Sequence, residues 1–310
     1  MASRSQHASQ KQSPVKRTDP NGSPARAIPA PAAEQGRSAI ERVRLARHPS
    51  RPQTLDYIDA LCKDFFEIHG DRNFADDGAI VAGLGYFGMV PVAIVGQQRG
   101  RSTSERLKRN FGKPHPEGYR KAGRVYELAD RFRLPLITFI DTQGAESGAG
   151  AEERGQVEAI AHDLELMARL EVPSIACVIG EGGSGGAIAL GVANVVLIQE
   201  NACYSVITPE GCAAILWREA TEENVARAAE AMRLSAPDLL RLGVVDEIIA
   251  EPEGGAHTNP SEAIAAVGAA ITRHLHALMK VSPAEVRKSR ERKFAAMGSA
   301  FLTSSIESAR

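Results

Sequence analysis

Charge of one sign is missing. The chain of 310 residues sets 37 Lys and Arg against 38 Asp and Glu, so no bulk electrostatic argument favours nucleic acid or a membrane surface. Long apolar runs are also missing. None approaches the ~18 residues of a membrane span, and no secretory apolar core stands near the start. Cysteine is scarce. Cys62, Cys177, Cys203 and Cys212 form no C-x-x-C pair, which argues against a zinc ribbon and suggests a reducing compartment, the cytoplasm. Cys177 and Cys203 lie in apolar runs and read as inert core. His69, His115 and His257 are not spaced as metal ligands. The length suffices for a large core, in one big domain or two.

Residues 1–36 have almost no large apolar side chain; they are Ser, Pro, Ala, Gln and Arg for the most part. Such a segment cannot offset its ordering entropy and is expected to be a disordered tail. Its basic, acid-poor composition also fits an organelle transit peptide, but no amphipathic period accompanies it. The expected division is the basic tail over 1–36, a single large domain over 37–280, and a C-terminal helix and tail over 281–310.

What is present centres on residues 172–192, VPSIACVIGEGGSGGAIALGV. An apolar run over 174–179 has the length of a buried strand. Seven residues follow, Gly180-Glu181-Gly182-Gly183-Ser184-Gly185-Gly186, and then a small-residue, helix-compatible run over 187–192. Strand, glycine loop and helix start put free N–H groups where negative charge is stabilised, and glycines let the backbone touch a ligand. Three chemistries fit. Gly180, Gly182 and Gly185 match a dinucleotide fingerprint, with Glu200 at the end of the next apolar run, but the helix that follows is too short. Ser184 sits in G-x-S-x-G, with Asp246 and His257 later in hydrolase order. The third is an oxyanion hole of peptide N–H groups alone.

An echo precedes this unit. A strand over 136–140 leads into Asp141-Thr142-Gln143-Gly144-Ala145-Glu146-Ser147-Gly148 and a helix over 152–170. Two successive strand–loop–helix units predict repeated crossovers with both loops at one edge, side by side. Helices are expected over 38–46, 54–68, 118–132, 208–217, 222–232, 236–242, 260–279 and 283–294. Strands are expected over 79–84, 90–95, 195–199, 204–207 and 244–249. The last helix reads as a partner-binding helix or a frayed end. Between 97 and 124 basic residues crowd, Arg99, Arg101 and Arg106 among them; they suit an anion site or a salt-bridged face equally. Asp141, Glu146, Glu152, Glu153 and Glu181 lie in or near the two loops; helix N-terminal charge pairing for Glu152 and Glu153 and a loop hydrogen bond for Asp141 are favoured over acid–base work.

The segments RHPSRPQTLDYI (47–58), HGDRNFADDGAIVAGL (69–84), KRNFGKPHPEGYRKA (108–122), ITFIDTQGA (137–145), GAEERGQVEAIA (150–161), VIGEGGSGGAIALGVA (178–193), YSVITPEGCAAILW (204–217) and EPEGGAHTNP (251–260) are familiar. Through them residues 37–298 resemble the carboxyltransferase alpha subunit of bacterial acetyl-CoA carboxylase. The resemblance implies an α/β, crotonase-like (ClpP-like) fold of repeated ββα units. It implies transfer of carboxylate from carboxybiotin, held on a biotin carboxyl carrier protein, to acetyl-CoA, giving malonyl-CoA for fatty acid synthesis. It implies biotin carboxylase in the same system and a beta subunit that carries the zinc ribbon, usually in an α2β2 assembly, with no metal in this chain.

Gly185 and Gly186 would form the hole for the biotin oxyanion, and the beta subunit the one for the acetyl-CoA oxyanion. Biotin N1′ can take the methyl proton, so no protein base is required. Gly182, Gly183, Gly144 and Ala145 would bind substrate, and Arg99 and Arg101 would lie near the CoA phosphates or the active-site mouth. Departures stand out. The family usually reads Asp-Thr-Pro-Gly-Ala-Tyr-Pro-Gly over 141–148, His at Gln97 and Lys at Arg99. The altered 143–147 loop favours a second reading, a carboxyltransferase or decarboxylase for another acyl-CoA; a serine hydrolase using Ser184 is a third.

Overall fold

The computed structural model describes residues 36–298. The tail expected over 1–36 falls, apart from Gly36, outside the described residues, as do residues 299–310. Helix α1 (Ala39–Ala46) opens on a reciprocal cap. The Ser38 hydroxyl accepts the Glu41 N–H, and the Glu41 carboxylate accepts the Ser38 N–H.

Helix α2 (Thr54–Leu61) is shorter than expected. Leu55, Ile58 and Leu61 keep a helical step that Phe65 and Ile68 continue, yet the chain turns into strand β1 (Cys62–Glu67). Pairing overrides the period here: Cys62 faces Phe87 and Phe66 faces Leu84 on the antiparallel strand β2 (Ile80–Phe87), with a bulge between. Strand β2 and strand β3 (Val90–Gln97) form the expected hairpin. Its turn is Gly88-Met89, and Gly88 takes φ +61 there.

The chain continues through α3 (Thr103–Lys108), α4 (Pro116–Phe132), β4 (Leu136–Thr142), α5 (Ala149–Glu153), α6 (Gln156–Arg169), β5 (Ser174–Gly183) and α7 (Ser184–Ile188). Next come β6 (Val195–Gln199), β7 (Cys203–Ser205), α8 (Pro209–Trp217), α9 (Glu222–Met232), α10 (Ala236–Arg241), β8 (Glu247–Ile249), α11 (Pro260–Leu278) and α12 (Pro283–Ala296). The helix expected over 152–170 is two, α5 and α6, broken where Gly155 takes φ +81.

The sheet has eight strands in the order β1-β2-β3-β4-β5-β6-β8, with β7 paired to the end of β5. From β3 onward the pairing is parallel. Parallel strands covered on both faces bury nearly every side chain, and all seven residues of β4 are buried. On one face Tyr119 and Tyr126 of α4, Leu166 and Met167 of α6 and Ala187 of α7 pack on Leu136, Ile140 and Val178. On the other face Tyr57 and Ile58 of α2 and Val267 and Ile271 of α11 cover Ile94, Ile137, Phe139 and Ile175.

Helix α12 docks on its own chain. Val286 and Arg290 are buried; the Arg290 guanidinium donates to Ser174 Oγ at 2.7 Å, and Asn194 Nδ2 donates to the Val286 carbonyl at 2.7 Å. No described helix is long and apolar enough to cross a membrane.

Candidate active site

The apolar run ends at Ile179, but β5 does not. It continues through Glu181 and Gly182 to Gly183, in parallel register with Cys203, Tyr204 and Ser205 of β7. On its other edge the register with β4 slips: Ile140 faces Val178, yet Thr142 faces Gly182. The strand therefore carries extra residues between those pairs, a bulge that re-aims its end. The buried Arg51 guanidinium supports it, donating to the Ile179 carbonyl at 2.6 Å.

Most glycines here answer to packing. A Cβ on Gly180 would stand 2.2 Å from Asp141 Oδ1, on Gly182 2.6 Å from the Tyr204 ring, and on Gly183 2.1 Å from the Gln143 carbonyl oxygen. On Gly186 it would stand 2.6 Å from Ala145 N and 2.8 Å from the Tyr119 hydroxyl. Gly185 differs, since its nearest neighbour would be the Ile160 side chain at 3.6 Å. So Gly182 and Gly183 are buried strand residues, whereas Gly185 is half-buried at the head of α7.

Ser184, exposed, begins α7 at φ +54, a left-handed conformation that costs a non-glycine residue free energy and marks functional turns. The first-turn N–H groups of a helix have no carbonyl of their own to bond. Those of Gly185 and Gly186 lie in that first turn, in the weak positive field of the helix start, Gly185 half-buried and Gly186 buried. Beside them lies an apolar cavity of about 330 Å³, lined by Ser184, Gly185, Ile188, Tyr204, Val206 and Val244 among others.

The first loop lies against the second, as the echo predicts. Gly144 and Ala145 pack on Gly186. Thr142 Oγ1 donates to the Gly112 carbonyl at 2.6 Å and accepts the Gly144 N–H at 3.1 Å. Glu146 belongs to its own loop: its carboxylate accepts from Asn110 Nδ2 and from the Gly148 N–H, each at 2.8 Å. The Asn110 hydrogen bond lowers the Glu146 pKa, and the Gly148 N–H helps, against slight burial.

Much of the basic run is a paired face. Arg101 bonds both Asp56 carboxylate oxygens, at 3.1 and 2.6 Å. Arg120 pairs with Asp71, and the buried Lys121 with Asp76. Arg99 lies 2.9 Å from Asp141 and 3.6 Å from Glu181, and Arg47 joins Glu181 to Glu210 at 2.8 and 2.6 Å. Asp141 Oδ1 accepts the Glu181 N–H at 3.1 Å. Burial raises the Asp141 pKa, opposed by Arg99. Arg47, His48, Arg99, Arg106 and Gln143 border a separate cavity of about 200 Å³.

Residues 35–298 match the family model described as acetyl co-enzyme A carboxylase carboxyltransferase-like. The chain belongs to this family. It is 57% identical over 261 residues to an acetyl-coenzyme A carboxylase carboxyl transferase subunit alpha of Aquifex aeolicus, covering 84% of this chain and 80% of that one. Among solved structures it is similar to transcarboxylase 12S, at a TM-score of 0.58 and 20% identity over 72% of this chain and 42% of the other. A chain of the Pseudomonas malonate decarboxylase hetero-tetramer also has a TM-score of 0.58, at 16% identity over 74% of this chain and 92% of that one. These likenesses confirm the α/β, crotonase-like fold of the carboxyltransferases.

Within this carboxyltransferase frame the hydrolase constellation is not assembled. Asp246 Oδ2 accepts the Val196 N–H at 2.6 Å and pairs with Lys293. The His257 ring stacks on His48, centroids 3.7 Å apart. The dinucleotide reading fails as well: α7 has five residues, and the Gly180 and Gly182 positions are filled by Asp141 and Tyr204.

Two residues of the site are not legible as functional in the sequence. Gln97, fully buried at the end of β3, donates from Nε2 to the Gly186 carbonyl at 2.7 Å and accepts the Asp141 N–H on Oε1 at 2.9 Å. Tyr119 of α4 brings its hydroxyl beneath Gly186. Only the departure at Gln97 from the family's usual His could have drawn notice to the first.

Proposed function

We propose that the chain is the alpha half of an acetyl-CoA carboxyltransferase, giving malonyl-CoA for fatty acid synthesis in the cytoplasm. A beta subunit of zinc-ribbon type completes the site in an α2β2 assembly, and biotin carboxylase reloads the biotin carrier protein. Carboxybiotin, when bound, supplies the carboxylate.

The observation that carries the reading is the head of α7. Gly185 borders the apolar cavity under Ile188, Tyr204, Val206 and Val244, and the buried Gly186 follows it in the first turn of α7. A flat, largely apolar ring with one hydrogen-bonding oxygen fits that pairing. Gly185 and Gly186 donate to the biotin ureido oxygen, each donor worth about 3 kcal/mol of transition-state stabilisation. Gly182 and Gly183 form the floor through their backbone. Gly144 and Ala145 hold Gly186 in place and border the substrate. Arg99 and Arg101 meet the CoA phosphates by sharing the charge now opposed by Asp141 and Asp56. No side chain is required as base, and the buried Asp141 is already bonded to Arg99 and the Glu181 N–H.

The test reconstitutes the chain with the beta subunit of its own source and a carboxylated carrier, and compares acetyl-CoA with propionyl-CoA. A higher kcat/KM for acetyl-CoA is expected. Preference for propionyl-CoA would move the assignment to another acyl group, through the altered 143–147 loop. Labelling by a serine-reactive phosphonate, lost in Ser184→Ala, would replace it by a hydrolase using Ser184.

A further inference from the structure

We infer that Gln97 is a positioning residue that sets the oxyanion hole from the far end of β3. The inference rests on the role proposed above for Gly185 and Gly186. Helix α7 is too short to use all of its own carbonyls: the Leu190 N–H bonds the Ala187 carbonyl and the Ala189 N–H that of Gly185. The Gly186 carbonyl is taken instead by Gln97 Nε2, at 2.7 Å. The other end of the same amide accepts the Asp141 N–H at 2.9 Å.

One fully buried side chain thus ties the start of the first loop to the end of the second. Its own strand end is fixed in turn, because Thr54 Oγ1 donates to the Gln97 carbonyl at 2.5 Å. A displacement of the hole by even ~1 Å would cost on the order of 10²-fold in rate.

The two partners demand opposite functions of the side chain: a donor toward a carbonyl and an acceptor toward an N–H. An amide supplies both at every pH. A carboxylate supplies only acceptors until it is protonated. An imidazole supplies one of each when neutral and two donors when protonated. The charged groups around the clamp are Asp141 on β4, Glu181 on β5, and Arg99 and Arg51, which flank that pair of acids; the Tyr119 hydroxyl of α4 lies beneath Gly186. They are common to all variants, so wild type run in parallel removes their titration from the comparison.

The experiment compares wild type, Gln97→Glu, Gln97→His and Gln97→Leu in the reconstituted complex from pH 5.5 to 8.5, for kcat, KM and thermal midpoint. Gln97→Leu is expected to assemble, keep KM and lose on the order of 10²-fold in kcat. Relative to wild type, Gln97→Glu should recover kcat and thermal midpoint as pH falls, and Gln97→His should lose both. These opposite slopes are what a passive space-filling role does not produce. Parallel slopes, or wild-type kcat in Gln97→Leu, would overturn the inference. If wild type itself shows no transfer, the reading of the function fails while the thermal midpoints still judge the clamp.

Discussion

The two loops of the echoed units are built on different principles. The second, 180–186, is held chiefly by close packing, since a Cβ at Gly180, Gly182, Gly183 or Gly186 would stand under 3.0 Å from a neighbour; Asp141 Oδ1 and Gln97 Nε2 are its side-chain ties. The first, around 142–148, is held by side chains: Thr142 to Gly112, Asn110 to Glu146, and Gln156 Nε2 to the Pro114 and Glu146 carbonyls at 2.8 and 3.0 Å. Close-packed backbone has one arrangement, because even a methyl group forces a shift. Side-chain ties can be exchanged at about 1 kcal/mol apiece. The departures of this chain from its family's usual pattern fall in the first loop, the one held by side-chain ties.

The sharpest way to break that contrast is Gly186→Val against Gly185→Ala. The valine would drive into Ala145 N and the Tyr119 hydroxyl. It should lower kcat by about 10²–10³-fold and destabilise the fold by about 1–3 kcal/mol. The alanine at 185 meets only Ile160, at 3.6 Å, and thermal unfolding should place it within about 0.5 kcal/mol of wild type. Equal destabilisation by the two would end the distinction between a packed and an open glycine.

On the first loop, Glu146→Ala removes the acceptor for Asn110 and the Gly148 N–H. A loss of about 1 kcal/mol is expected in denaturant unfolding, with KM affected more than kcat. The lowered Glu146 pKa has its own signature. The stability it contributes is present above the unfolded carboxyl pKa and fades as pH falls through the folded one, so wild type and variant should converge in acid. A constant difference down to pH 3 would show that the charge is not what holds the loop.

Strain on the packed side is open to the reverse test. Ser184→Gly frees the φ +54 position and should stabilise the protein by up to about 1 kcal/mol while carboxyl transfer is retained. Loss of turnover in that variant would give the hydroxyl a chemical role. A separate, pH-dependent effect belongs to the buried Asp163 of α6, which packs against Gly123 of α4. Neither of its carboxyl oxygens has a hydrogen-bond partner among the described residues, and burial raises its pKa well above the usual range. A carboxyl whose folded pKa is raised loses stability as pH climbs above the unfolded value. Asp163→Asn should therefore flatten the stability profile above pH 4, read as midpoints across pH 5–8; an unchanged slope would mean that the acid is hydrated or paired.

Local pattern carried much of this architecture. The buried strand at 174, the hairpin about Gly88, the capped helix at Thr208 and the pairing of the two loops were all legible, because each rests on neighbours in sequence or on the order of units. The failures share a cause. Phe65 and Ile68 continue a helical period, but β1 forms because β2 offers an edge. The extension of β5 to Gly183 depends on β7, and the clamp at Gln97 on partners at 141 and 186. The basic residues at 99–124 suited two readings; carboxylates distant in sequence, Asp56, Asp71 and Asp76, decide for a largely paired face.

The measurement closest to the central claim is malonyl-CoA decarboxylation with biocytin, the reverse reaction, in the complex of this chain with its beta subunit. Wild type should turn over, and Gly186→Val, with assembly verified by sedimentation, should fall by about 10²-fold or more. Turnover in the assembled valine variant at the wild-type rate would contradict an oxyanion hole at Gly185 and Gly186.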